Sequence, residues 1–386
     1  MPERKLNDAV ELLDRFAERT GLGSPRTPQR YLWTDAFAVC TWLGLARTTQ
    51  EPRYRELAVQ LIDAVHTTLG RHRPDDVRRG WLSGLDDEQA RDHPTRGGLR
   101  IGKPLPEQNP YDLIDAQSEW DRDGQYFHYL TKWMHALDQA TRATGDWRFN
   151  VWARELAVRA FEAFSYDREG GARRLYWKMS IDLTRAAVAS QGQHDPLDGY
   201  VTCVQLHTTA KAAPADFRRP AIDGLADELV ASIELSDLNT TDPLGLGGLL
   251  LDAARIEQLA HAGAFRNEDL AAAILATAAS GLAAYERSGA PRREIGSRLP
   301  FRELGLVLGL RAIELVAENA PGLRASTRPL LEAHAPLAAE IERFWLDSRN
   351  REAANWTAYR DINDVTLAAA LAPEGFVELL PPSRGG

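Results

Sequence analysis

The residues with most chemistry to offer gather where helix-length segments begin. The run Trp120-Asp121-Arg122-Asp123-Gly124-Gln125-Tyr126-Phe127-His128 sets two carboxyls, an amide and an imidazole among aromatic rings. On a helix, Asp121 and Asp123 cannot share a face, so one can cap while the other projects, and Asp121 is compatible with one face with Gln125 and His128. The run His194-Asp195-Pro196-Leu197-Asp198-Gly199-Tyr200 brings a second imidazole and two acids three residues apart. An acid that only capped its helix would need neither neighbour. Carboxyl and imidazole groups transfer protons once burial and nearby charges bring their pKa close to the working pH. The candidates for that task are Asp121, Asp123, His194, Asp195 and Asp198. Capping by Asp195, with Asp198 favouring the helix dipole, explains the same acids without catalysis.

Four more openings share this character: Tyr31-Leu32-Trp33-Thr34-Asp35, Asp242-Pro243-Leu244-Gly245, Arg298-Leu299-Pro300-Phe301-Arg302-Glu303 and Trp356-Thr357-Ala358-Tyr359-Arg360-Asp361. Carboxylates and guanidinium groups can bond sugar hydroxyls, and flat rings can stack on the apolar face of a sugar. On that chemistry Trp33, Asp35, Trp120, Gln125, Tyr126, His128, Tyr200, Arg302, Glu303, Trp356, Tyr359, Arg360 and Asp361 are candidate substrate contacts. Arg360 and Asp364 stand at ion-pair spacing.

The elements that must position these residues read as helices over 4–20, 30–47, 51–69, 120–143, 147–166, 195–213, 215–235, 243–262, 266–288, 298–319, 321–346 and 357–372, which pair into six hairpins. Apolar stripes such as Leu57, Leu61, Ala64 and Val65 have helical period. Asp195-Pro196 and Asp242-Pro243 each look like an N-cap acid followed by Pro at the first helical position. Glycines at 44, 199, 245, 247, 248, 305 and 309 fall inside helices, where each costs on the order of 1 kcal/mol against Ala. Close packing within an inner layer of helices would offset that cost. Leu175 to Asp182 alternates as a short β-hairpin arm would.

Residues 72–117 interrupt the helices and read as an ordered lid, because a long loop carrying Trp81, Leu85, Leu99, Ile101 and Tyr111 has apolar side chains to bury. The rest of the chain, 1–386, reads as a single domain. A net charge of −9 with no dense basic run argues against nucleic acid and fits a neutral or cationic small-molecule or oligosaccharide substrate. Only five of the 46 basic residues are Lys. Neither a secretory leader nor a membrane span is evident, so a cytoplasmic protein without membrane contact is expected. Cys40 and Cys203 read as buried thiols. No phosphate loop, dinucleotide fingerprint, zinc spacing or Ser nucleophile elbow occurs, so no metal or cofactor is expected.

Six hairpins whose inner helices begin with aromatic and acidic residues resemble the (α/α)6 toroid of the six-hairpin glycosidases. The resemblance covers nearly the whole chain and is architectural, with no residue-by-residue signature. It implies a carbohydrate substrate and a glycoside hydrolase, inverting, in which one carboxyl protonates the leaving oxygen and another activates water. An epimerase or isomerase using His128 and His194, and a non-catalytic carbohydrate-binding or scaffold protein, are the other classes these residues allow.

Overall fold

A computed structural model describes residues 2–24, 28–108, 119–168, 171–215, 217–264, 268–319 and 321–379. The described chain is mostly helical. Its helices are α1 (Pro2–Arg19), α2 (Leu32–Thr49), α3 (Pro52–Leu69), α4 (Asp87–Asp92), α5 (Phe127–Thr144), α6 (Arg148–Phe164), α7 (Asp195–Ala210), α8 (Asp223–Ala231), α9 (Pro243–His261), α10 (Glu268–Arg287), α11 (Pro300–Asn319), α12 (Pro321–Leu346), α13 (Ala354–Thr357), α14 (Arg360–Leu371) and α15 (Glu374–Val377). Packing separates two compact units. One holds Met1–Ala17, Cys40–Glu51 and Glu234–Leu380; the other holds Glu18–Val39 and Pro52–Ile233. The openings at Tyr31, Trp120 and His194 belong to the second unit, and those at Asp242, Arg298 and Trp356 to the first.

Within each unit, helices pack both on their hairpin partner and on the helix two further along. In the second unit α5 lies against α6 and also against α7; in the first, α9 contacts α10 and α11, and α11 contacts α12 and α14. The helices flanked on several sides are apolar around most of their circumference. Nearly all of α2 is buried, whereas α3 buries the stripe Tyr54, Ala58, Leu61, Ile62, Val65 and Leu69. The helical glycines explain how α9 and α11 meet: a Cβ on Gly247 would lie 2.2 Å from the Gly305 carbonyl oxygen, and one on Gly309 would lie 2.5 Å from that of Gly247. Gly44 serves a different contact, against Gly375 of α15.

Three boundaries differ from the sequence expectation, each for a local reason. The helix expected over 120–143 begins at Phe127, because Gln125–Tyr126 pairs as strand β1 with Lys178–Met179, and Gly124 turns at φ +154°. Asp121 is therefore not helical, and the shared face with Gln125 and His128 does not form. The helix expected over 215–235 contracts to α8; Pro220 lacks a donor, and its carbonyl accepts from Arg154 Nε at 2.7 Å. The last opening breaks between α13 and α14 at Ala358 and Tyr359.

The hairpin-like stretch forms two small sheets. Ser165–Tyr166 (β2) pairs with Arg174–Leu175 (β3), and β1, Lys178–Met179 (β4) and Ala186–Val188 (β5) form an antiparallel sheet in the order β1-β4-β5. Of the segment expected to be a lid, the structure describes residues 72–108; Tyr111 and positions 109–117 fall outside the described residues. Asp86 caps α4 by accepting from the amides of Glu88 and Gln89, and Leu105 bridges to Arg122. Cys40 and Cys203 are buried and neither is in a disulfide among the described residues. Among the described residues, no helix is long and apolar enough to cross a membrane.

Candidate functional site

In the second unit the three openings meet around His128. Its ring lies against Trp33, Tyr126, Tyr129 and Trp177, nearly parallel to Trp177 at 6.3 Å and 11°. Tyr31 and Tyr129 share a hydroxyl hydrogen bond of 2.6 Å, and Trp33 stacks on Phe37. Trp120 is 47% exposed and extends the aromatic surface from Tyr126 and Trp177. The β-sheet sets these rings, since the pairing of Tyr126 with Lys178 fixes the chain just before α5.

Asp195 lies beside this surface. The helix begins at Asp195 as expected, but the N-cap falls one residue earlier than expected: His194 takes that place, with no side-chain cap bond, and Asp195 is already helical. Its carboxyl is thus freed from capping and turns toward Gly192, where a Cβ would lie 2.4 Å from Oδ2. Oδ1 is 3.8 Å from His128 Nδ1, and Oδ2 is buried with no hydrogen-bond partner among the described residues. Burial, with the Asp198 charge nearby, pushes the Asp195 carboxyl up to about 8. Burial also holds His128 well below its ordinary value, helped by the Lys132 ammonium, so the imidazole is neutral. Asp198 has the opposite setting: Lys132 Nζ pairs with its Oδ1 at 2.8 Å, and the Thr131 hydroxyl donates to its Oδ2. A buried carboxyl pushed toward its protonated form, a second carboxyl ion-paired with Lys132 on the same helical turn and a nearby imidazole stand together, an arrangement able to move a proton.

Asp123 and Gln125 are committed to holding the lid. Asp123 is 1% exposed; its Oδ2 accepts from Arg100 at 2.5 Å and Arg73 at 3.3 Å, while Oδ1 accepts from the amides of Gly102, Lys103 and Gly124. Gln125 accepts from the Leu99 amide and donates to the Gly97 and Ile181 carbonyls. Gly98, at φ +78°, leaves room for it, because a Cβ there would lie 2.1 Å from Gln125 Oε1. Asp121 is exposed, and Asp35 closes the turn before α2 by accepting from the Tyr31 amide while facing Arg30. Tyr200 lies toward Asp227 of α8, whose charge adds to burial in raising its phenol. His194 is half-buried at the start of α7.

The first unit joins its three openings with its acids engaged by protein donors. Arg298 grips Glu303 through two nitrogens and Trp345 Nε1 adds a bond at 2.8 Å. Arg302 pairs with Asp242 at 2.5 Å, and Asp242 caps α9 through the Gly245 amide. Trp356 is buried and donates to Asp364, while Asn363 reaches from α14 to the Phe301 amide. Tyr359 and Arg360 are exposed, and Asp361 is half-buried.

Sequence reasoning missed Lys103, Thr131, Lys132, Tyr129 and Trp177. A signal for part of this set was present: of five lysines in the chain, Lys103, Lys132 and Lys178 all surround this site. Lys178 is fully buried, paired with Glu119 at 2.7 Å, and lies over the Tyr126 ring. Among the described residues, no group of His, Cys, Asp and Glu could hold a metal ion. No protein-family model matches the chain, and no curated protein matches it in sequence.

Proposed function

We propose that the chain is a glycoside hydrolase whose chemistry lies at Asp195, Asp198 and His128. One observation carries the proposal: the Asp195 carboxyl lies buried 3.8 Å from the His128 ring nitrogen, where burial favours its protonated form, while Asp198, one turn away, is ion-paired with Lys132. Asp195 gives its proton to the glycosidic oxygen as the bond to the anomeric carbon breaks. Trp120 and Trp177 supply faces on which a sugar ring can stack. The architecture that suits this chemistry is the (α/α)6 toroid. Asp198 completes the step as the second carboxylate, activating the water that takes the anomeric carbon in an inverting reaction or attacking that carbon itself in a retaining one.

The test is turnover of a panel of aryl glycosides, followed by NMR of the first-formed anomer. Asp195→Asn should remove turnover of substrates with poor leaving groups while spectra stay those of a folded chain; unchanged turnover would remove Asp195 from the role. A second reading rests on His128, whose neutral imidazole can accept a proton from a sugar carbon. Deuterium from solvent appearing in an unhydrolysed sugar would identify an epimerase instead. Sugar binding with neither reaction would identify a binding protein.

A further inference from the structure

We infer that the sugar bound at this site carries an oxyanion substituent, a carboxylate or a phosphate, and that Lys103 is the residue that reads it. The inference rests on the carbohydrate reading above and makes its substrate class more specific. Lys103 is 7% exposed, with Nζ 4.6 Å from the centre of the Trp120 ring and 5.9 Å from that of Tyr126. Its ammonium donates to the Trp120 carbonyl and, among the described residues, has no carboxylate in ion-pair contact. An ammonium has three donors, so this one retains hydrogen-bonding capacity next to the most exposed ring of the aromatic surface. The other two lysines of the site differ, since Lys132 is matched by Asp198 and Lys178 by Glu119.

The placement of Lys103 is built into the fold. Asp123 accepts from the amides of Gly102 and Lys103, and Arg100 and Arg73 in turn hold Asp123. Asp121 and Asp123 favour the charge through space, but among the described residues no carboxylate touches the ammonium, and a buried cation short of an anion in contact costs free energy that folding alone does not recover. A ligand anion would recover it. Burial lowers the ammonium to about 8, so it still carries its charge at neutral pH. Lys is the residue that suits a single point contact with an oxyanion, and it is used here in a chain that otherwise favours Arg. The expectation of a neutral or cationic substrate came from the net charge of the whole chain, whereas the group that lies over the Trp120 ring is a cation.

The experiment is calorimetric titration of the full chain with matched sugars: glucose, glucuronate and glucose 6-phosphate, then galactose, galacturonate and galactose 6-phosphate. Wild type should bind one anionic form about ten-fold or more tightly than its neutral partner, and that advantage should shrink in high salt. Comparing the uronates with the phosphates decides which oxyanion is read. Lys103→Met should remove the advantage by weakening the anionic form far more than its neutral partner, while Lys103→Arg should keep most of it. Equal binding of neutral and anionic forms by wild type overturns the inference and leaves the carbohydrate reading standing. Loss of both affinities alike in a folded Lys103→Met chain assigns Lys103 a structural role and also overturns it. Binding of none of the six overturns both readings. Should Lys103→Met fail to fold, the wild-type preference and its salt dependence still decide the matter.

Discussion

Replacing Asp195 with Asn should stabilise the protein at neutral pH while removing turnover. The carboxyl titrates near 8 in the folded chain against an ordinary value of 3.8. Between those values the unfolded chain has lost this proton and the folded chain keeps it. The folded state then binds more protons, so stability falls as pH rises through the window and is unaffected by this group below it. At about 1.4 kcal/mol for each pH unit, the roughly three units between 3.8 and neutrality amount to a penalty of about 4 kcal/mol at pH 7. Asparagine has nearly the same shape and ionises in neither state, so the variant should not bear that penalty. It also loses no helix cap, because Asp195 makes none. Urea unfolding of both proteins at pH 5 and pH 7, followed by far-UV circular dichroism, gives the comparison. The stability difference should move in favour of Asp195→Asn by about 3 kcal/mol over those two units. A difference independent of pH would refute the assignment of a retained proton to Asp195, and with it the acid role.

The opposite outcome is expected at Asp123: Asp123→Ala strands Arg100, while Arg73 keeps Asp75, and should cost about 3–5 kcal/mol, with new protease cleavage in residues 97–105. Gly247→Ala puts a methyl 2.2 Å from the Gly305 oxygen and should cost about 1–3 kcal/mol or more, read as a lowered Tm. Its neighbour is the control: a Cβ at Gly248 meets nothing within 4 Å, so Gly248→Ala should raise stability by up to about 1 kcal/mol. Asp242→Ala removes a working cap and should cost about 1 kcal/mol in urea unfolding, unlike the superficially similar Asp195.

The helices were legible because their signals are local. Stripes of apolar residues, Pro at helix starts and Gly at close contacts act within a few positions, and the structure places most helices within a few residues of the expected ranges. The site was legible at the level of segments. His128 and Asp195 come from two runs singled out for their chemistry, and their meeting with Trp33 is a tertiary fact. What remained hidden depends on partners far along the chain. Asp123 and Gln125 look like ligand-binding side chains until residues 97–103 fold onto them, and nothing near Asp123 announces Arg100 or Arg73. The two Asp-Pro starts differ only because the backbone at His194 is already turned into the helix, which leaves one acid buried and the other capping.

The contact of α9 with α11 has a consequence for how substitutions in this protein are interpreted. At Gly247 and Gly309 the two backbones touch with no side-chain layer between them, so an added methyl at either position has no rotamer with which to avoid the neighbour. A library of single substitutions scored by growth or turnover would find these positions as intolerant as a catalytic group, although they carry no functional atom. Only an assay that measures folded protein separately from activity would tell this backbone seam from the site around His128.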